Sequence, residues 1–356
     1  DKVFSEFSSL LGQGKNAKYL KDLFKKSYLD HKNLTEATRY LANELFGKYG
    51  LVIIDGNDKI LKKEFIPFVK KELLEQTCYK EVSKTVDSFK ESYKILVNPR
   101  EINLFYLGNY LRERIVLKDG VYSVVNTGLT FSKEEIIKEV EQHPERFSPN
   151  VLIRPLYQEV ILPNLSYIGG GGELSYWMEL KSYFETMKVP FPVLLLRNSV
   201  LLIHKKQNQK LKKLGVSLED IFLKKEEFIN KKVKENSDLK IDFSEQKARL
   251  TQIFAELEAI SHCTDRSFLG AVKAQEQKQL NGLNNLEKRL LKAQKRKLND
   301  LVERISILHH QLFPNEALQE RYANFSEFYL EAGDDLIKTL VKHLDPLQLE
   351  FDVFEI

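Results

Sequence analysis

Residues Leu165–Trp177 read LSYIGGGGELSYW, and Pro190–Ser199 read PFPVLLLRNS. Leu165–Ile168 is an apolar run of strand length, four consecutive glycines follow it, and Glu173 opens a helical pattern that continues to about Met187. Pro190 and Pro192 then precede a second apolar run, Val193–Leu196. One step upstream, Arg154-Pro155 starts a helix that Pro163 stops. Helix, strand, glycine loop, helix, strand is the order of a parallel sheet wound with helices, so the spacing predicts an α/β core.

Further upstream, Thr35–Tyr49 has helical periodicity, and Leu51–Ile54, ended by Asp55-Gly56, reads as a strand of the same core. Lys62–Tyr93 is a long helical pattern with Pro67 near its start. Cys78 inside it reads as a packing residue, with no electropositive partner in the nearby sequence. Between Asn98 and Pro149 the period changes: Leu104–Leu107 and Arg114–Leu117 alternate like strands, Lys118-Asp119-Gly120 signals a hairpin, and Ser132 with Glu135 forms a capping box. This segment, about residues 98–149, reads as a mixed α/β insertion.

After His204 the composition shifts to lysine-rich helices, and from Phe243 to Leu312 glycine and proline nearly vanish. Leu250, Ile253, Leu257 and Ile260 form one seam at coiled-coil intervals; Leu283, Leu286, Leu290 and Ala293 form another, continued by Leu301, Ile305, Leu308 and Leu312 after a one-residue shift. A break around Cys263–Arg266 makes this an antiparallel helical hairpin, and its apolar stripes predict a partner, most simply a second copy. The expected domains are therefore a Rossmann-like core over 1–204, a coiled-coil dimerisation segment over 205–312, and a C-terminal helix and strand over 313–356 that return to the core.

The 356 residues, with a formal charge of +4, offer too weak a basic excess to indicate a nucleic-acid partner. Two cysteines make no disulfide framework, no CxxC or spaced histidine pair marks a metal, and no run reaches the roughly 18 apolar residues of a membrane span. The default is a cytoplasmic protein. Both methionines, Met178 and Met187, are internal, so the chain reads as a fragment. The distribution of basic residues says more than their sum. Six of the 13 arginines fall between Asn98 and Val200, against five lysines there and 37 elsewhere. Arginine's planar fork suits carboxylate and phosphate, although structural ion pairs explain the same enrichment.

Four glycines cost backbone order, about 1 kcal/mol each relative to alanine. Placed between strand and helix, Gly169, Gly170, Gly171 and Gly172 can turn amides toward an anion or nucleotide phosphate; alternatively they permit tight strand-to-helix packing. The loop is neither a Walker loop nor GxGxxG. Arg154, Gln158, Tyr176, Arg197 and Asn198 are the candidate substrate-binding residues, at the carboxyl ends of strands or one helix away. Glu173 is the candidate catalytic residue, as a base or an amine-orienting carboxylate, unless it only complements the helix dipole. Trp177 is equally a core residue or a ligand wall.

Asn103-Leu-Phe-Tyr, Arg112-Glu-Arg114-Ile, the uninterrupted stretch Phe147–Trp177 and Pro190–Ser199 together resemble the bacillithiol synthase family, BshC. The family's loop usually reads Gly-Gly-Pro-Gly-Glu, so Gly171 stands where it has proline. The resemblance implies a Rossmann-like core with connecting insertions, a dimerising coiled coil, and a ligase that adds L-cysteine to glucosaminyl-malate in the last step of bacillithiol synthesis. It also implies an adenine nucleotide as the cofactor class and a further N-terminal Rossmann portion that this chain lacks. Two other classes stay open: a non-catalytic coiled-coil dimerisation module, and a nucleotidyltransferase-like enzyme whose ATP turnover is independent of cysteine.

Overall fold

A computed structural model describes residues 2–261 and 266–356. The chain divides into two compact units, one of residues 1–199 with 337–350, the other of 200–336 with 351–356.

In the first unit, five antiparallel strands form a sheet of order β4-β3-β2-β1-β5: β1 (Leu104–Gly108), β2 (Leu111–Lys118), β3 (Val121–Val124), β4 (Thr130–Phe131) and β5 (Phe147–Pro149). The expected hairpin forms at Asp119-Gly120, both residues with positive φ, which matches the twist of the flanking strands. A second tight turn, Asn109-Tyr110, joins β1 to β2 without a glycine, and Tyr110 takes φ 57°. Helix Lys133–Gln142 carries the capping box with both of its bonds and buries Ile136 and Val140.

The parallel element is β6 (Ser166–Gly169) paired with β7 (Val193–Leu196), in the register Ser166↔Val193 to Gly169↔Leu196. The connection is helical, but the single helix expected from Glu173 to Met187 is divided into Gly171–Trp177, a 3-10 turn at Met178–Leu180, and Lys181–Met187. Leu51–Ile54, expected as a strand, is not one. No neighbouring strand among the described residues satisfies its backbone, and Leu51 and Val52 are exposed. The long helix expected over Lys62–Tyr93 is three helices, Lys59–Glu64, Ile66–Glu75 and Thr77–Phe89. Pro67 sits in the first turn of the second, where its missing N–H costs nothing. Gln76 turns to φ 54° between the second and third, and the buried Glu72 carboxylate fixes that turn by accepting the N–H groups of Cys78 (2.9 Å) and Asn103 (3.0 Å). Burial pushes the Glu72 carboxyl above its ordinary pKa despite those donors. Cys78 is fully buried, and desolvation raises its thiol pKa well above normal, so it packs rather than reacts.

In the second unit β8 (Ser199–Ile203) pairs with β9 (Phe351–Glu355). The strand expected to return to the core therefore forms, but joins β8 and not the parallel pair. Helices Ser244–Ser261 and Arg266–Lys297 lie antiparallel, with ion pairs Lys247–Glu287 and Lys273–Glu258 at opposite ends of the contact. The break expected at Cys263–Arg266 falls outside the described residues, except that Arg266 opens the second helix. The one-residue shift read from the sequence coincides with Leu298, where helix Asn299–Leu312 begins anew. The seam within the hairpin runs through Leu250, Phe254 and Ser261. Ile253 and Ile260, expected in that seam, are 54% and 59% exposed, and Leu286 is 53% exposed. Leu290 instead packs in the cluster built on Phe228 and Ile305.

Candidate functional site

Gly169 ends β6 and is needed for packing: a Cβ there would lie 2.8 Å from a Tyr167 ring carbon and 3.1 Å from Leu174. Gly170 caps the following helix with φ −72° and ψ 159° and lies under the Arg197 guanidinium, about 3.8 Å from where a Cβ would stand. Its N–H is taken by Glu173 Oε2 at 3.2 Å, so this amide serves the helix's own first-turn carboxylate. Gly171 and Gly172 have open space where side chains would be. The packing reading of the loop therefore holds at Gly169, while Gly171 and Gly172 are open.

Arg154 opens the helix Arg154–Ile161, one turn before Gln158 on the same face. Its Nη1 donates to Gln158 Oε1 (3.2 Å) and its Nη2 to Tyr176 Oη (2.9 Å), while Glu173 Oε1 lies 4.0 Å away. Tyr167, on β6, accepts a further bond from it. Burial works against the guanidinium charge, but the two tyrosine hydroxyls more than compensate and hold its pKa above the ordinary value. Gln158 in turn donates to the buried Glu159, which also receives both nitrogens of Asn164. The structure therefore brings Arg154, Gln158, Glu173 and Tyr176 into one network.

Arg197 leaves β7 with its N–H on Gly169 O (2.9 Å), which places its side chain beside the loop. Asn198 is engaged elsewhere, donating to the carbonyl of Asp345 at 2.9 Å. Of the other central arginines, Arg146 is paired with Glu139 (2.7 Å) and Arg112 lies over the Phe105 ring. Arg146 follows the ion-pair reading, and Arg112 is engaged with an aromatic face instead.

Trp177 is fully buried, stacked on Tyr167 at 4.0 Å between ring centroids. It is core rather than ligand wall, yet it backs the tyrosine that touches Arg154. Tyr167 was not singled out from the sequence. Its signal was available: Tyr167 is two residues from Gly169 and so shares its face of β6. Glu179 was missed in the same way, an acid three residues after Tyr176 and four before Tyr183 on an otherwise apolar face.

Gly171 sits at the first helical position, after a residue whose backbone already suits a following proline. Gly171→Pro is therefore expected to stabilise the chain by about 0.5–1 kcal/mol through the unfolded state, measured by urea unfolding.

A parallel β-α-β unit with a glycine loop and two adjacent arginines, joined in sequence to a long helical hairpin, defines a Rossmann-like and coiled-coil protein. The family model described as bacillithiol biosynthesis BshC, N-terminal Rossmann-like domain, matches residues 1–198, and the BshC C-terminal coiled-coil domain matches 200–356. The chain belongs to the BshC family. A protein of Christiangramia forsetii named "Putative cysteine ligase BshC" is 57% identical over 99% of this chain and 66% of its own length. A relative of the same name from Flavobacterium psychrophilum is 54% identical with the same coverage, and one from Bacillus cytotoxicus is 28% identical over 85% of this chain. The chain thus spans about two thirds of the length of its more similar relatives. No helix among the described residues is long and apolar enough to cross a membrane.

Proposed function

We propose that this chain carries the acid-binding part of a cytoplasmic ligase that forms an amide between L-cysteine and the amine of glucosaminyl-malate. The observation that carries the reading is the Arg154 network: a guanidinium fixed by Gln158, Tyr167 and Tyr176, beside open glycines and Arg197. Glucosaminyl-malate presents two carboxylates and cysteine one, and a pre-oriented planar cation receives such groups with little loss of side-chain entropy. Glu173, between Arg154 and the Gly170 amide, is the group proposed to orient the attacking amine or accept its proton. Amide formation needs an activated acyl group. The open Gly171 and Gly172 positions and Arg197 also suit the phosphates of an adenine nucleotide, which would supply that activation.

In the complete protein, Arg154→Ala and Arg197→Ala are each expected to raise the KM for glucosaminyl-malate by about 10–100-fold, the worth of a charged hydrogen bond of about 1.5–3 kcal/mol. Unchanged KM values in both variants overturn the carboxylate assignment. Calorimetry with ADP tests the nucleotide separately.

We further propose that the chain forms a homodimer through the exposed coiled-coil stripe of Ile253, Leu257, Ile260 and Leu286. These residues lie outside the hairpin's own seam, as a helix that packs on two sides requires. Ile253→Asp with Ile260→Asp is expected to halve the solution mass in light scattering without altering the circular dichroism; an unchanged mass removes the stripe from the interface.

A further inference from the structure

On another face of the helical connection after the glycine loop, Ser175, Met178 and Glu179 line a cavity of about 470 Å³ whose remaining wall comes from Phe89, Tyr93 and the segment Lys94–Leu96. Every one of these residues belongs to the first unit. Phe89 and Tyr93 meet edge to face, with centroids 5.5 Å apart. Glu179 is 2% exposed and accepts a hydrogen bond from the Leu96 N–H, while its Oε2 is buried with no hydrogen-bond partner among the described residues. A buried acceptor without a donor costs about 1–3 kcal/mol, more when charged, so this carboxylate is an acceptor in want of an N–H group.

We propose that this cavity is a binding site for a primary ammonium carried on an apolar or aromatic body, with Glu179 as its anionic anchor. The ammonium supplies the missing donor and the opposite charge at once. Phe89 and Tyr93 supply aromatic rings in the wall, which attract a cation, and Ile95 and Met178 supply apolar surface. Lys94, the other charged residue in the wall, opposes a cation and has the freedom of an exposed side chain. Burial without a second donor pushes the Glu179 carboxyl up to about 7, so it can ionise near neutral pH once a cation arrives. The assignment stands apart from the reaction served by Arg154, because it uses none of those residues.

Benzylammonium and its uncharged counterpart benzyl alcohol, titrated into the 356-residue chain at pH 7.5 and followed by calorimetry, test it. Benzylammonium is expected to bind at least tenfold tighter than the alcohol, and the near-isosteric Glu179→Gln to abolish that preference. Lys94→Ala, a surface change that leaves folding intact, is expected to tighten benzylammonium severalfold. Equal binding of the two probes, absence of binding by either, or a preference that survives in Glu179→Gln overturns the proposal.

Discussion

Trp177→Ala is expected to lower the unfolding free energy by about 3–5 kcal/mol, the range for deleting a buried large aromatic side chain. Trp177 heads the fully buried side chains of the first unit, and three aromatic neighbours converge on it: Tyr167 stacked, Phe184 tilted and Phe191 edge-on. Its indole N–H has no hydrogen-bond partner among the described residues, so the loss is one of packing and dispersion with no polar group stranded. The second consequence is local. Tyr167 loses the surface that holds its ring against Arg154, so under the proposed carboxylate assignment the variant should also weaken binding in the complete protein. Urea unfolding measures the first effect, and the KM for glucosaminyl-malate the second. A loss below 1 kcal/mol would mean that the cluster collapses around the gap and that its packing is not the frame of the site.

The other large effect concerns pH. Glu179 has a folded pKa of about 7 against an ordinary 4.5, because burial disfavours its ionised form. Below pH 4.5 the carboxyl is protonated in both folded and unfolded chains and contributes nothing to the slope. Between 4.5 and 7 the unfolded chain gives up the proton first, so stability falls as pH rises; above 7 the loss is complete. Two and a half pH units at about 1.4 kcal/mol each give a loss of about 3 kcal/mol. Glu179→Gln removes this dependence, so the variant should exceed the parent by about 3 kcal/mol at pH 8 and match it near pH 4. Glu72 shifts in the same direction, whereas Glu139 and Asp220 are held below their ordinary values and lose stability on acidification. The parent-minus-variant difference across pH, rather than either curve alone, is therefore the quantity to measure. A flat difference would show that the Glu179 carboxyl is solvated.

The sequence disclosed local rules better than distant ones. The Asp119-Gly120 turn, the Ser132–Glu135 capping box, Arg154-Pro155 as a helix start and the pairing of Leu165–Ile168 with Val193–Leu196 each follow from adjacent residues, and each is present. Leu51–Ile54 has the right composition for a strand, but a strand exists only when a neighbour accepts its backbone bonds. The break at Gln76 resists periodicity because a buried group reaching a distant residue sets it, the Glu72 carboxylate bonded to Asn103. In the hairpin, two apolar stripes one residue apart overlap on the helix surface, so Ile253 and Phe254 could not be assigned to inside and outside from spacing alone. At the site, Arg154, Gln158, Glu173 and Tyr176 were legible as residues near one loop. Their mutual bonds were not, and neither was the diversion of Asn198 to Asp345.

The two-stranded parallel pair bears on how the chain behaves in a tube. Each of β6 and β7 has one edge without a strand beside it among the described residues, and Ile168 on β6 and Val193 on β7 are exposed. Unpaired edges with apolar flanks recruit other chains. If the proposed coiled-coil dimer forms, a preparation of these 356 residues has two routes of self-association, a saturable helical one and an open-ended sheet one. Only the first should vanish with the Ile253 and Ile260 charges, and only the second should grow without limit as concentration rises. A mass above that of a dimer would accordingly report on the sheet edge and leave the coiled-coil assignment untouched.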